Sequence, residues 1–230
     1  MTTKAIEKTQ RNLQVLKNLD EISRITAEKF IEIGNQAIKK NGRFAVALAG
    51  GTTPQNLYQI LASDDFKDRI DWENVFFFFG DERDVSPMSA MSNFKSANDF
   101  LFKPLKISPR NVYRWQTEII NAAEVAETYQ RTLIRFFKLS NGEFPRFDLI
   151  LLGMGDDGHT ASLFPHTKAI RENSKIGVAH FVEKLDALRL TLTFPTINNA
   201  ANVIFTISGE NKAKVLKEVL EGDFNPEKFP

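Results

Sequence analysis

The 230-residue chain has no cysteine, which excludes a disulfide-stapled secreted scaffold. It has almost no net charge, 30 Lys+Arg against 29 Asp+Glu, which argues against a nucleic-acid binder working through a broad basic surface. Any anionic partner then needs a local site. No apolar run approaches the ~20 residues that span a bilayer, and the opening MTTKAIEKTQRNLQVLKNLD lacks the apolar stretch of about 7–15 residues that marks a secretory leader. No membrane association is expected, and a cytoplasmic setting is, which the missing cysteine fits. There is no Pro-, Gly- or Ser-rich linker, no repeat and no low-complexity tract, so residues 1–230 are read as a single domain. No pattern in the sequence defines an oligomeric state, and a monomer is compatible with it.

What is present is an ordinary globular composition, 42% hydrophobic and 26% charged. After Leu19, the residues Ile22, Ile25, Phe30, Ile33, Ala37 and Ile38 recur at helical spacing, with Asn18 and Glu21 as a capping box and Asn41-Gly42 as the stop. A short apolar run, Phe44 to Ala49, then ends in Gly50-Gly51, with Pro54 where a first helical turn accepts it. The same strand-then-glycine pattern returns at Val75–Phe79 before Gly80, at Phe147–Leu152 before Gly153 and at Val203–Ile207 before Ser208-Gly209. Helices are expected over Asn121–Leu139, capped by Asn121 with Glu124, and over Glu210–Leu220, stopped by Gly222. Runs apolar on both faces suit central parallel strands. The expected fold class is α/β: a doubly wound, mostly parallel sheet with helices on both faces, Rossmann-like in layout.

In such a sheet, ligands bind beyond the carboxyl ends of the strands, so the segments that follow the apolar runs carry the chemistry. Gly50-Gly51-Thr52-Thr53-Pro54 reads either as a phosphate cradle at a helix N-terminus or as a tight turn capped by Thr53. It is not a Walker loop, since Gly-Lys-Ser/Thr is absent. Gly80-Asp81-Glu82-Arg83-Asp84 puts four charges behind a buried strand. It reads as a solvated loop or as a site in which Arg83 binds a phosphate or developing oxyanion and the neighbouring carboxylates orient it.

The third segment, Gly153 to His166, holds two of the three histidines. Its Gly-x-Gly-x-x-Gly is not a dinucleotide fingerprint, because Asp156 and Asp157 would repel a pyrophosphate and Pro165 interrupts the helix that should follow. His159 is the candidate general base, with Asp157 to fix its tautomer; the alternatives are a structural histidine or a metal ligand alongside Asp156, Asp157 and His166. That spacing matches no metal signature, and Ser162 lies in no Gly-x-Ser-x-Gly elbow. His180 reads as a wall residue. Arg189, in the alternating run to Pro195, along with Lys184 and Lys212, supplies positive charge that is either solvated or meets an anion.

Gly50–Pro54, Gly80–Arg83, Ser92-Asn93, Gly153–His166, Arg189–Pro195 and Ser208–Ala213 together resemble the 6-phosphogluconolactonase family, in order from about Gln14 to Leu220. The related glucosamine-6-phosphate deaminases share Asp157-Gly158-His159 but carry a catalytic Glu where this chain has Phe164. The resemblance implies hydrolysis of a phosphosugar lactone, 6-phospho-D-glucono-1,5-lactone, in the oxidative pentose phosphate pathway, without metal or organic cofactor. It implies catalytic roles for His159, Asp157 and Arg83, and substrate or phosphate contacts from Gly50, Gly51, Thr52, Thr53, Asp81, Arg189 and Lys184. The chain departs from the family's pattern in the stretch after Asp84, which ends in Ser92-Asn93-Phe94, and before Arg189, where the usual prolines are missing.

Overall fold

The structure, a computed structural model, describes residues 12–119 and 121–230. The opening segment read above for a secretory leader and the N-terminal limit of the single-domain reading fall mostly on residues 1–11, outside the described residues.

The first helix, α1 (Leu19–Asn41), begins where the sequence places it: the Asn18 side chain accepts the Glu21 N–H, and Gly42 closes the last turn at φ 72 by donating to the Ile38 carbonyl. It leads into β1 (Phe44–Leu48), buried along its whole length. Then come α2 (Thr52–Leu61), β2 (Val75–Phe79), β3 (Asp81–Arg83), α3 (Asn93–Ala97), α4 (Ala122–Phe137), β4 (Leu149–Leu152), β5 (Gly177–Val182), β6 (Ala187–Leu192), α5 (Phe194–Asn198), β7 (Val203–Phe205) and α6 (Ala213–Glu221). Four strands form a parallel sheet in the order β2-β1-β4-β7, and three form an antiparallel sheet in the order β3-β6-β5. The mostly parallel α/β expectation therefore holds, and the second sheet adds to it.

The phenylalanine run of β2 shows how helices cover both faces. Strand side chains alternate, so Phe77 and Phe79 reach one face and Phe76 and Phe78 the other. Phe77 stacks on Trp72 and meets Phe102, while Phe79 meets Phe94 of α3 and Phe102. On the opposite face, Phe76 and Phe78 both meet Phe136 of α4, and Phe78 also meets Phe137, Tyr113 and Phe147. One continuous cluster of buried side chains runs from Ala27 to Ile197 and draws on both sheets.

Several local expectations are corrected. The charged segment Asp81–Arg83 is a strand, because its backbone pairs with Arg189–Thr191 of β6 and so satisfies groups that would be orphaned in a buried loop. Thr53 does not cap α2: Gly51 occupies that position at φ 101 with no side-chain hydrogen bond. β4 starts at Leu149 instead of Phe147, and Asp148 turns its carboxylate onto the Ala45 N–H at 2.8 Å. β7 is an edge strand with Val203 and Phe205 exposed, not a strand covered on both faces. The last helix is preceded by a tighter turn over Glu210–Lys212.

The chain runs from β1 outward to β2 and then returns to the other side of β1 to lay down β4. That reversal leaves a crevice between the carboxyl ends of β1 and β4, where neighbouring connections diverge to opposite faces. The loops after these two strands are the Gly50–Thr53 and Gly153–His159 segments.

Candidate active site

A cleft of about 540 Å³ opens at this reversal point. Its lining includes Gly50, Gly51, Thr52 and Thr53, then Asp81 and Arg83, then Asp156 and His159, and finally Lys184, Arg189 and Lys212. These come from segments more than 150 residues apart in the chain, brought together by the sheet order.

The catalytic-loop candidates are joined by short contacts. His159 Nδ1 lies 2.6 Å from Asp157 Oδ1, and that oxygen also accepts the His159 backbone N–H at 3.2 Å. Asp157 Oδ2 accepts from Lys184 Nζ at 2.8 Å. Burial pushes the Asp157 carboxyl up, but the hydrogen bonds from Lys184 and His159 outweigh it and hold the group down at about 2. A carboxylate on Nδ1 keeps the neutral ring's proton there and leaves the Nε2 lone pair free. The Phe164 ring stacks on the imidazole at a centroid distance of 3.9 Å, closing one face of it with apolar surface. Gly155 makes room for this arrangement: a methyl on it would fall 2.1 Å from His159 Nδ1. His166 is exposed and does not line the cleft, so it stands apart from Asp157 and His159. No group of three or more His, Asp or Glu side chains is assembled to hold a metal among the described residues.

The basic residues follow from strand register. Arg83 of β3 and Arg189 of β6 are direct cross-strand partners and both line the cleft. Arg83 donates through Nη1 to the Met91 carbonyl, and Arg189 through Nη1 to the Leu188 carbonyl at 3.1 Å. Neither is in an ion pair among the described residues. Burial, followed by the charge of Arg83, pushes the Arg189 guanidinium down. Like charges directly opposite each other destabilise a strand pair unless an anion joins them. Lys184, by contrast, is committed to Asp157, a partnership that raises its own pKa.

The carboxylates beside Arg83 do not orient it. Glu82 is buried and turned to the start of α3, where Oε1 accepts the Asn93 N–H at 2.7 Å and Oε2 the Phe94 N–H at 2.8 Å. Burial raises its carboxyl pKa, against these N–H groups and that of Arg83. Asp81 accepts from Asn93 Nδ2 at 3.0 Å and from Ser162 Oγ at 2.7 Å. Asn93 packs so closely under the first loop that a methyl on Gly50 would meet its Oδ1 at 1.8 Å.

The sequence sets Ser162 aside as a nucleophile, makes His180 a wall residue and offers Glu82 only as a partner of Arg83; their actual partners are not legible in it. All three polar groups of Ser162 are engaged: N with Thr191 Oγ1 at 3.3 Å, Oγ with Asp81, and the carbonyl with His180 Nε2 at 2.7 Å. Ser162 thus ties the His159 loop to the antiparallel sheet. Only the order of charged and hydroxyl residues was visible beforehand, and the pairing partners lie 18 to 81 residues away.

Comparison with known proteins places the chain in a family and supports its fold. Residues 17–230 match the family model described as glucosamine-6-phosphate isomerases/6-phosphogluconolactonase. The chain is 38% identical over 195 residues to a 6-phosphogluconolactonase of Synechocystis sp., covering 85% of this chain and 79% of that protein. It is 41% identical over 183 residues to one of Nostoc sp., covering 80% and 74%. Among solved structures, 6-phosphogluconolactonase from Trypanosoma brucei superposes with a TM-score of 0.82 at 29% identity, covering 94% of this chain and 89% of that one. The protein from Thermotoga maritima gives 0.77 at 31% identity, covering 90% and 89%. On the family match, the relatives and the shared architecture, this chain belongs to the glucosamine-6-phosphate isomerase/6-phosphogluconolactonase family.

Proposed function

We propose that the protein hydrolyses 6-phospho-D-glucono-1,5-lactone to 6-phospho-D-gluconate, a step of the oxidative pentose phosphate pathway, in the cytoplasm. The observation that carries the proposal is the Asp157–His159 pair at 2.6 Å in the same cleft as the facing cations Arg83 and Arg189. It supplies a base for water beside a site for a dianion.

The chemistry follows from these parts. His159 Nε2 takes a proton from water as the water oxygen attacks the lactone carbonyl carbon, and Asp157 stabilises the imidazolium that forms. The tetrahedral oxyanion collapses with cleavage of the bond to the ring oxygen. The imidazolium then returns its proton to that oxygen, which becomes the C5 hydroxyl. A positioned general base contributes roughly 10²- to 10⁴-fold. Arg83 and Arg189 hold the phosphate or the oxyanion, and the uncapped N-terminus of α2 at Gly51–Thr53 offers N–H groups to the phosphate. Asp81, already fixed by Asn93 and Ser162, presents a fixed acceptor to the sugar. Holding the unreactive phosphate matters because its binding energy orients the ester.

Phe164 weighs against the deaminase chemistry found elsewhere in the family, since a phenyl ring stacked on His159 cannot transfer protons. The test is 6-phosphogluconate formation from freshly generated lactone against a protein-free control. Saturable acceleration is the expected result; a folded protein that gives the control rate would sink the proposal.

A further inference from the structure

Gly158 joins the two members of the Asp157–His159 pair, is buried, and has a φ of +82. Glycine is the least restrained residue of the backbone, so the geometry of the pair depends on what confines this link. The confinement comes from the far end of the chain. A methyl on Gly158 would fall 2.8 Å from Phe229 Cδ1, 3.4 Å from Phe229 Cα and 3.4 Å from Val215 Cγ1 on α6.

The segment that carries Phe229 is itself tied down. The N–H groups of Lys228 and Phe229 both donate to the Asn225 carbonyl, at 3.1 and 2.9 Å, forming a closed turn. Glu227 Oε1 accepts from Arg171 Nε at 2.8 Å, so the turn also reaches the stretch that follows the catalytic loop. Lys228 Nζ sits 4.6 Å above the Phe229 ring. α6 buries no residue of its own, and Phe229 is outside the hydrophobic core.

We propose that Phe229, together with Val215, is a positioning residue for the reaction: its ring closes the space over Gly158 and so fixes the peptide that sets the His159 ring against Asp157. The inference rests on the assignment of His159 as general base made above. A displacement of about 1 Å in a reacting group can cost up to ~100-fold, which sets the scale of the effect.

The experiment uses the 230-residue chain and its Phe229→Ala and Phe229→Leu variants. Two quantities are read: the far-downfield proton resonance of His159 Nδ1–H, assigned by its loss in His159→Asn, and kcat and KM with 6-phosphogluconolactone. In Phe229→Ala the resonance is expected to move upfield or broaden, with kcat down roughly 10- to 100-fold and KM within about 2-fold, because the substrate contacts are untouched. Phe229→Leu, which restores apolar bulk, should recover most of both. A Phe229→Ala protein that keeps either the wild-type resonance or the wild-type kcat overturns the proposal. If the wild-type protein shows no lactone turnover, the proposed activity fails, and the resonance alone decides whether Phe229 positions His159. Should Phe229→Ala not fold, Val215→Ala removes the second contact, and the same two readouts apply.

Discussion

At the scale of single residues, the site depends on a few short contacts, and each gives a testable expectation. His159→Asn removes the base while keeping a polar side chain. Turnover should fall by at least ~100-fold with an unchanged circular dichroism spectrum, and near-wild-type turnover would take His159 out of the mechanism. Asp157 provides the pH prediction. Its folded-state pKa of about 2 lies below the ordinary 3.8, so the stability it contributes is present above about pH 4 and is lost as the pH falls toward 2. Lys184 donates the first of the hydrogen bonds that lower it. Lys184→Gln should therefore shift the acid-unfolding midpoint to higher pH, measured by circular dichroism across pH 2 to 5. The Asp157–His159 pairing was legible in the sequence because the two residues are neighbours. The Lys184 contact was not, since Lys184 is 27 residues further along and reaches Asp157 only through the β5–β6 connection.

At the scale of elements, the charged run after β2 shows where reading a sequence stops. Four successive charges look like a solvated loop, yet Glu82 is the acceptor for the first turn of α3. Glu82→Ala would leave the N–H groups of Arg83, Asn93 and Phe94 without it. A loss of about 3 kcal/mol in urea unfolding is expected, whereas an unchanged midpoint would mean that water replaces the carboxylate. The turn after β1 carries a second element-level expectation. Gly50→Ala would push its methyl onto Asn93 and through it disturb Asp81, so KM should rise along with a stability loss of roughly 1–3 kcal/mol. The caps at Asn18 and Asn121 were readable because they act within three residues. The supposed Thr53 cap was not, because Gly51 at φ 101 takes that place.

At the scale of the whole molecule, the cleft exists because the chain reverses between β2 and β4, and because β3 leaves the parallel sheet to pair with β6. The first event sets the Gly50 loop beside the His159 loop. The second sets Arg83 opposite Arg189, two like charges that are best satisfied by a shared anion. Product binding should therefore stabilise the whole fold. At 6-phosphogluconate concentrations near 100 times its Kd the gain is about 2.7 kcal/mol, visible as a rise in melting temperature. Arg189→Gln should remove most of that rise while raising the melting temperature of the unliganded protein, because it relieves the repulsion. If Arg189→Gln instead keeps the full product-induced rise, the phosphate is held elsewhere in the cleft.

The sequence by itself determined the α/β class, the four parallel strands, two of the helix starts and the pairing of Asp157 with His159. Periodicity, capping and nearest-neighbour chemistry act over a few residues, and those features need nothing more. Only the tertiary structure decided that Asp81–Arg83 is a strand, that Glu82 serves a helix instead of the site, that Lys184 belongs to Asp157, and that Phe229 covers Gly158. Each of these joins groups far apart along the chain or exchanges a backbone partner across two sheets. A one-dimensional pattern carries no distance between such groups, whereas close packing in three dimensions fixes it.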